Sequence, residues 1–184
     1  MLLLALLAAA VVLVSTGALT LDTGWGRRVR ALGPSRCRSR PPRDVFDVAA
    51  VPYASASPPR AVREKVSVVE RAEGMVVAAH RTKAGLVTAV TVEAETLERP
   101  LRIGFGLLRG PVPHVVEEFV LGEQSGTTTL AYRGQLGSDF WWPGSLWGRV
   151  VARRWERAVA ASLAQIAAAA EERSGRRPER VPEP

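Results

Sequence analysis

The chain has 184 residues, enough for one domain with appendages, and 47% of them are apolar, an ordinary share for a packed core. A single cysteine, Cys37, excludes an internal disulfide framework. One cysteine and two histidines also fall short of a structural zinc set, so neither a metal nor a cofactor is expected. The net charge of +7 is local: residues 22–43 hold seven arginines against one acid, Asp22. The rest is nearly neutral, which argues against a nucleic-acid-binding face.

Residues 1–21, MLLLALLAAAVVLVSTGALTL, carry no charged side chain and are just long enough to cross a bilayer. A membrane anchor and a cleaved signal peptide compete here. No Lys or Arg precedes the apolar run, and the run exceeds a usual signal core, which favours the anchor. Arginines after it stay in the cytoplasm by the positive-inside rule, so a single pass with the domain on the cytoplasmic side is expected. Arg27, Arg28, Arg30, Arg36 and Arg38 are candidate contacts for anionic headgroups. The expected organisation is an anchor (1–21), a basic juxtamembrane linker (22–34), a folded domain (35–172) and a disordered tail (173–184).

Alternation in RCRSR suggests a first strand with one basic face. Prolines around DVFDVAAVPY and in SPPRAVREK predict two short helices. From Val66 the chain turns Val-, Thr- and Ile-rich, and Gly74, Gly85 and Arg99-Pro100 divide it at strand-length intervals. GEQSG marks one more hairpin turn. Five or six strands without an intervening helix make an antiparallel meander. One long helix follows, with Trp147, Val151, Trp155, Val159, Leu163 and Ile166 along its apolar stripe.

Period two assigns the strand faces. Ile103, Phe105 and Leu107 share one face, as do Leu130, Tyr132 and Leu136. Phe119 and Leu121 are the larger pair on their strand, so they are expected to point inward and to carry Glu117 with them. Val76, Ala78 and His80 share a face; Glu93 and Glu95 share another, expected to meet solvent. An inward carboxylate has a raised pKa unless paired. Glu117, His80 and Tyr132 therefore form the plausible acid–base set, with Glu117 or His80 as the catalytic candidate; structural roles for both compete with that reading.

Four of the five tryptophans fall in SDFWWPGSLWGRVVARRW. Trp147 and Trp155 lie on the helix stripe and read as packing. Trp141 and Trp142 are adjacent and cannot both face one core, so a pocket mouth, a membrane interface and plain packing all remain open for them.

The element order, with LDTGWGRRVRALGP (21–34), DVFDVAAVPY (44–53), RGPVPHVVEEF (109–119) and GQLGSDFWWPGSLWGRVVARRWERAV (134–159), resembles the START-like (SRPBCC) superfamily, closest to its actinobacterial polyketide cyclase/dehydrase-like group. The resemblance spans roughly residues 21–172. It implies the α+β helix-grip fold, a curved antiparallel sheet of six to seven strands around a long C-terminal helix, with a ligand cavity between them. Here an N-terminal transmembrane helix would precede it. The first strand is more basic than the family pattern. No catalytic motif common to the fold carries over.

The expected function is a membrane-tethered binding module for a small hydrophobic molecule or lipid. Phe105, Phe119, Tyr132, Trp141, Trp142 and Trp147 are the expected ligand contacts. The alternatives are a cyclase/dehydratase acting through Glu117 or His80, and an interaction protein whose cavity is filled by its own side chains.

Overall fold

The computed structural model describes residues 1–39, 42–84, 87–124 and 127–175. In chain order these form α1 (Leu2–Ser15), β1 (Arg28–Ser39), α2 (Pro42–Ala54), α3 (Arg60–Arg63), β2 (Val66–Ala72), β3 (Met75–Ala84), β4 (Val87–Glu98), β5 (Arg102–Arg109), β6 (His114–Gln124), β7 (Thr127–Ser138) and α4 (Trp141–Gly175). All seven strands join one antiparallel sheet in the order β1-β7-β6-β5-β4-β3-β2. The long helix α4 packs against β1, β7 and α2. This is the helix-grip architecture: a meander from β2 to β7, with β1 closing on the last strand.

The packing follows from residue spacing. In α2, Val45, Phe46, Ala49, Ala50 and Tyr53 recur at helical intervals and are all buried. In α4, Val151, Ala152, Val159, Leu163 and Ala170 form the buried stripe, with Trp147, Trp155 and Ile166 partly buried beside it. Ile103, Val115, Leu130 and Leu136 supply the sheet side of the same core.

Four expectations need correction. The first is the transmembrane helix. α1 has 14 residues, about 21 Å at 1.5 Å per residue, against a hydrocarbon core of roughly 30 Å. Among the described residues no helix is long and apolar enough to cross a membrane. The reason lies in residues 16–21, which the uncharged run had included. The Thr16 carbonyl accepts from Val90 N at 2.8 Å, and Thr20 Oγ1 accepts from Gly110 N at 2.8 Å. Gly17 has φ +72°, and a Cβ there would lie 2.1 Å from the Val90 carbonyl oxygen, so only glycine permits this approach. These residues belong to the domain rather than to a span.

The second correction is the linker. β1 begins at Arg28, paired with Ser138, inside the stretch 22–34 expected to be a tether. The third is the tail: α4 continues through Gly175, beyond residue 172. The second short helix is also briefer than its proline punctuation suggests, Arg60–Arg63. The hairpin tips at Gly85 and at Ser125, and the tail from residue 176, lie outside the described residues.

Candidate active site

The meander places a band of polar side chains on the inward face of the sheet. β3 pairs with β4 so that His80 faces Thr91, Ala78 faces Glu93 and Val76 faces Glu95. Directly paired residues of antiparallel strands share a face. The face that holds Val76 and Ala78 in the core therefore turns Thr91, Glu93 and Glu95 inward as well. Both acids are buried, Glu95 completely at 0% exposure. The expectation that Glu93 and Glu95 meet solvent fails because their strand alternates with Val90, Val92 and Ala94, which look like its core face in isolation.

The row continues across the sheet. Glu95 pairs with Phe105, Phe105 with Glu117, and Glu117 with Gly134. A Cβ at Gly134 would lie 2.7 Å from Glu117 Cβ, so the missing side chain makes room for the carboxylate. A line of rings bridges the two ends of the band. Centroids step from His80 to Tyr53 (5.9 Å), Phe105 (6.0 Å), Phe119 (5.2 Å) and Tyr132 (5.9 Å).

Two hydrogen-bonded centres result. At one, Tyr132 OH donates to Glu117 Oε2 at 2.7 Å, and Trp155 Nε1–H donates to the same oxygen at 2.6 Å. At the other, His80 Nε2 lies 2.8 Å from Glu95 Oε1 and 3.9 Å from Glu93 Oε2, while Thr91 Oγ1 donates to Glu93 Oε1 at 2.6 Å. Glu95 Oε2 is buried and has no hydrogen-bond partner.

Burial dominates the electrostatics. It pushes the Glu117 carboxyl up to about 7, helped by the charge of Glu93 and opposed by the hydrogen bonds from Tyr132 and Trp155 and the field of His80. Burial also raises Glu95, with His80 opposing. Burial acts to lower His80, but the hydrogen bond to Glu95 and the fields of Glu93, Glu95 and Glu117 outweigh it and raise it. Burial, with the neighbouring carboxylates, holds the phenols of Tyr53 and Tyr132 above their usual range, so both stay neutral donors. The arrangement can donate a proton from Glu117 below neutral pH and accept one above it.

The structure thus brings together Glu117, Tyr132, Phe105 and Phe119, with His80 reached through Tyr53. It leaves Trp141 and Trp142 outside the core, while Trp147 packs against the same core cluster as Phe105, Phe119 and Tyr132. Trp147 is partly buried, and its Nε1–H donates to the Pro111 carbonyl at 2.8 Å. Trp141 and Trp142 are exposed, Trp142 at 73%. Trp141 stacks edge-on with Trp25, centroids 4.3 Å apart. Trp155, read from sequence as packing, is the tryptophan that touches the site.

A concavity of about 670 Å³ opens around Thr96, Gly104, Gly106, Val116 and Arg133, whose side of the strands alternates with the inward one, and Phe105, Glu117 and Gly134 also border it. It lies across the sheet from the side chains of Glu93 and Glu95. Its polar groups are already engaged with one another: Arg133 and Arg102 both pair with Glu118. The chemistry sits inside, and we place the site there.

The basic residues also divide. Arg27 is committed to the fold: its Nε–H donates to buried Asp139 Oδ1 at 2.7 Å, and it pairs with Asp22. Asp139 Oδ2 further accepts from the backbone N–H groups of Thr23 and Gly24, each at 2.8 Å. Arg27, chiefly, and those two donors hold Asp139 well below the usual carboxylate range. This clamp fastens residues 22–27 to the turn before α4. Phe140 (φ 68°) and Trp141 (φ 47°) occupy the left-handed region there, at a cost of about 1–3 kcal/mol each. Backbone bonds from Phe140 N to the Trp25 carbonyl (2.7 Å) and from Trp141 N to the Gly26 carbonyl (3.1 Å) hold them. Arg28 and Arg30 are exposed on β1. The side chains of Arg36 and Arg38 lie outside the described residues.

A helix-grip domain with buried acids under its sheet is the class that fold and site define. Solved structures agree on the fold. Zhui aromatase/cyclase from Streptomyces sp. R1128 superposes with TM-score 0.64 at 20% identity, covering 80% of this chain and 96% of that one. Norcoclaurine synthase from Thalictrum flavum, solved with dopamine and hydroxybenzaldehyde, gives 0.60 at 8% identity, covering 84% and 91%. The di-domain ARO/CYC BexL gives 0.56 at 17%, with 83% of this chain matching 52% of that one. No protein-family model and no curated protein sequence matches the chain. The chain has the helix-grip fold of these structures.

Proposed function

We propose that this chain binds a small hydrophobic ligand carrying a hydroxyl or carbonyl group against the inward face of its sheet, and that Glu117 exchanges a proton with it in a cyclase- or dehydratase-type step. The observation that carries this reading is Glu117 itself. It is a buried carboxyl poised near neutrality, held by Tyr132 and Trp155, in the interior of a fold shared with aromatase/cyclases. When Glu117 gives up its proton, those two donors stabilise the carboxylate left behind. Phe105 and Phe119 offer the apolar walls.

Titrating the full-length protein with 2-naphthol, followed by its fluorescence, tests the proposal. Saturable binding that weakens about tenfold in Phe119→Ala supports it. Absent binding at millimolar probe would leave the rival, an interaction protein with a filled interior.

We further infer that one end of the domain rests on the cytoplasmic leaflet of a membrane. Antiparallel order gathers the start of β1, the ends of β5 and β7, the turn before α4 and the exit of α1 at that end. Leu19, Leu21, Trp25, Trp141, Trp142 and Leu146 are exposed there, with Arg28 and Arg30 on the adjoining strand. α1 is apolar, its described side chains from Leu4 to Leu13 are exposed, and Thr16 is bonded to Val90 directly after it, so insertion of α1 would press this end to the surface. Sedimentation with phosphatidylserine vesicles should fall in Trp25→Ala/Trp142→Ala and in high salt. Equal sedimentation of that variant and the parent would overturn the inference.

A further inference from the structure

We propose that His80, Glu93 and Glu95 form a binding site for one divalent transition-metal ion. The proposal stands apart from the proton chemistry assigned to Glu117 and does not depend on it. One ligand atom from each of the three residues lies within 4.8 Å of the other two. Ligands about 2.1 Å from a common ion sit about 3.0–3.4 Å from one another, and His80 Nε2 lies close to that spacing from both acids, 2.8 Å from Glu95 Oε1 and 3.9 Å from Glu93 Oε2.

Two independent features point to a cation rather than to a self-sufficient hydrogen-bond cluster. Glu95 is wholly buried, yet its Oε2 has no hydrogen-bond partner, and a buried polar atom left without one is costly. Glu93 and Glu95 are also two carboxylates under the sheet that, among the described residues, no lysine or arginine pairs with. His80 alone offers at most one positive charge to both. A divalent ion held by both oxygens of Glu95 would supply the missing charge and give Oε2 a partner.

The surroundings suit a ligand set. Thr91 Oγ1 donates to Glu93 Oε1, which fixes that carboxylate and leaves Oε2 on the His80 side. All three ligands sit on the adjacent strands β3 and β4, in register, so the geometry is rigid. One imidazole and two carboxylates suit zinc, cobalt or manganese rather than calcium, which takes oxygen ligands only. Three protein ligands leave at least one coordination position for water or a ligand oxygen, as in catalytic rather than structural sites.

The test uses the full-length protein stripped with chelator and titrated with Co²⁺, followed by visible absorption and competed with Zn²⁺. The expected result is one Co²⁺ per chain. His80→Gln and Glu95→Gln should bind on the order of 100-fold more weakly or worse, while His114→Gln binds as the parent does. Circular dichroism checks that each variant is folded. Zinc X-ray absorption on the loaded parent needs no variant: it should show scattering from one imidazole and no sulfur. Absence of stoichiometric binding, unchanged affinity in folded His80→Gln, or a sulfur ligand from Cys37 overturns the proposal.

Discussion

Replacing Glu117 by glutamine should make the protein more stable at alkaline pH, and the gain should vanish in acid. Glutamine keeps the size of the side chain and an oxygen to accept from Tyr132 and Trp155. What it removes is the cost of a buried charge. The folded carboxyl titrates near 7 against an ordinary value of 4.5. The folded state therefore holds its proton where the unfolded state has released it. Stability from this group is complete below about 4.5 and is lost as pH rises through about 7. The difference of about 2.5 units, at 1.36 kcal/mol each, amounts to about 3 kcal/mol. Urea denaturation of parent and Glu117→Gln at pH 4.5, 6, 7 and 8.5 measures it. Subtracting the two curves removes groups common to both, including Glu93 and His80, whose fields also reach this site. The difference should climb by about 3 kcal/mol in favour of glutamine and level off above pH 8. A difference curve flat to within about 0.5 kcal/mol would mean that Glu117 ionises like a surface glutamate, and the acid–base reading would fall with it.

Three further outcomes follow from the same contacts. Tyr132→Phe and Trp155→Phe each remove a donor to the charged form of Glu117, so each should move its titration midpoint above that of the parent, measured by the same pH-dependent denaturation. Asp139→Asn removes the charge that holds Arg27 and two backbone N–H groups; a loss of about 2–4 kcal/mol at pH 7 is expected, with Trp25 more open to acrylamide quenching. Because the folded Asp139 titrates below its ordinary value of 3.8, the parent's advantage over Asp139→Asn should be present above that pH and disappear in stronger acid. Trp147→Ala should cost about 3–5 kcal/mol in thermal or chemical unfolding, whereas Trp142→Ala, at a position 73% exposed, should cost under about 1 kcal/mol.

Much of the site was legible from alternation alone. Phe119 and Leu121 outweigh their neighbours in bulk, and that was enough to turn Glu117 inward; the same period placed Tyr132 and Phe105. Glu93 and Glu95 are not legible as inward residues, because a strand flanked by valines offers two credible core faces. Register with His80 across the β3–β4 hairpin decides between them, and pairing is a tertiary fact that one strand does not carry. From sequence Trp155 reads as packing, because a helix stripe shows which side is apolar but not which polar atom waits beneath it. The contacts of Asp139 and residues 16–27 are not legible for a related reason. Their bonds run between backbone and distant loops, and such bonds leave no periodicity in sequence. The uncharged run at the start reads as one span, since composition cannot show that its last residues pair with Val90 and Gly110.

The central claim is that Glu117 is a near-neutral acid in contact with a bound ligand, and carbon-13 NMR of glutamate-labelled protein tests it most directly. Side-chain carboxyl shifts recorded across pH 3–9, with Glu117→Gln supplying the assignment, should show Glu117 titrating near pH 7 and its midpoint shifting when 2-naphthol is added. A Glu117 signal that titrates near its ordinary value of 4.5, or one that ignores saturating naphthol, would contradict the account.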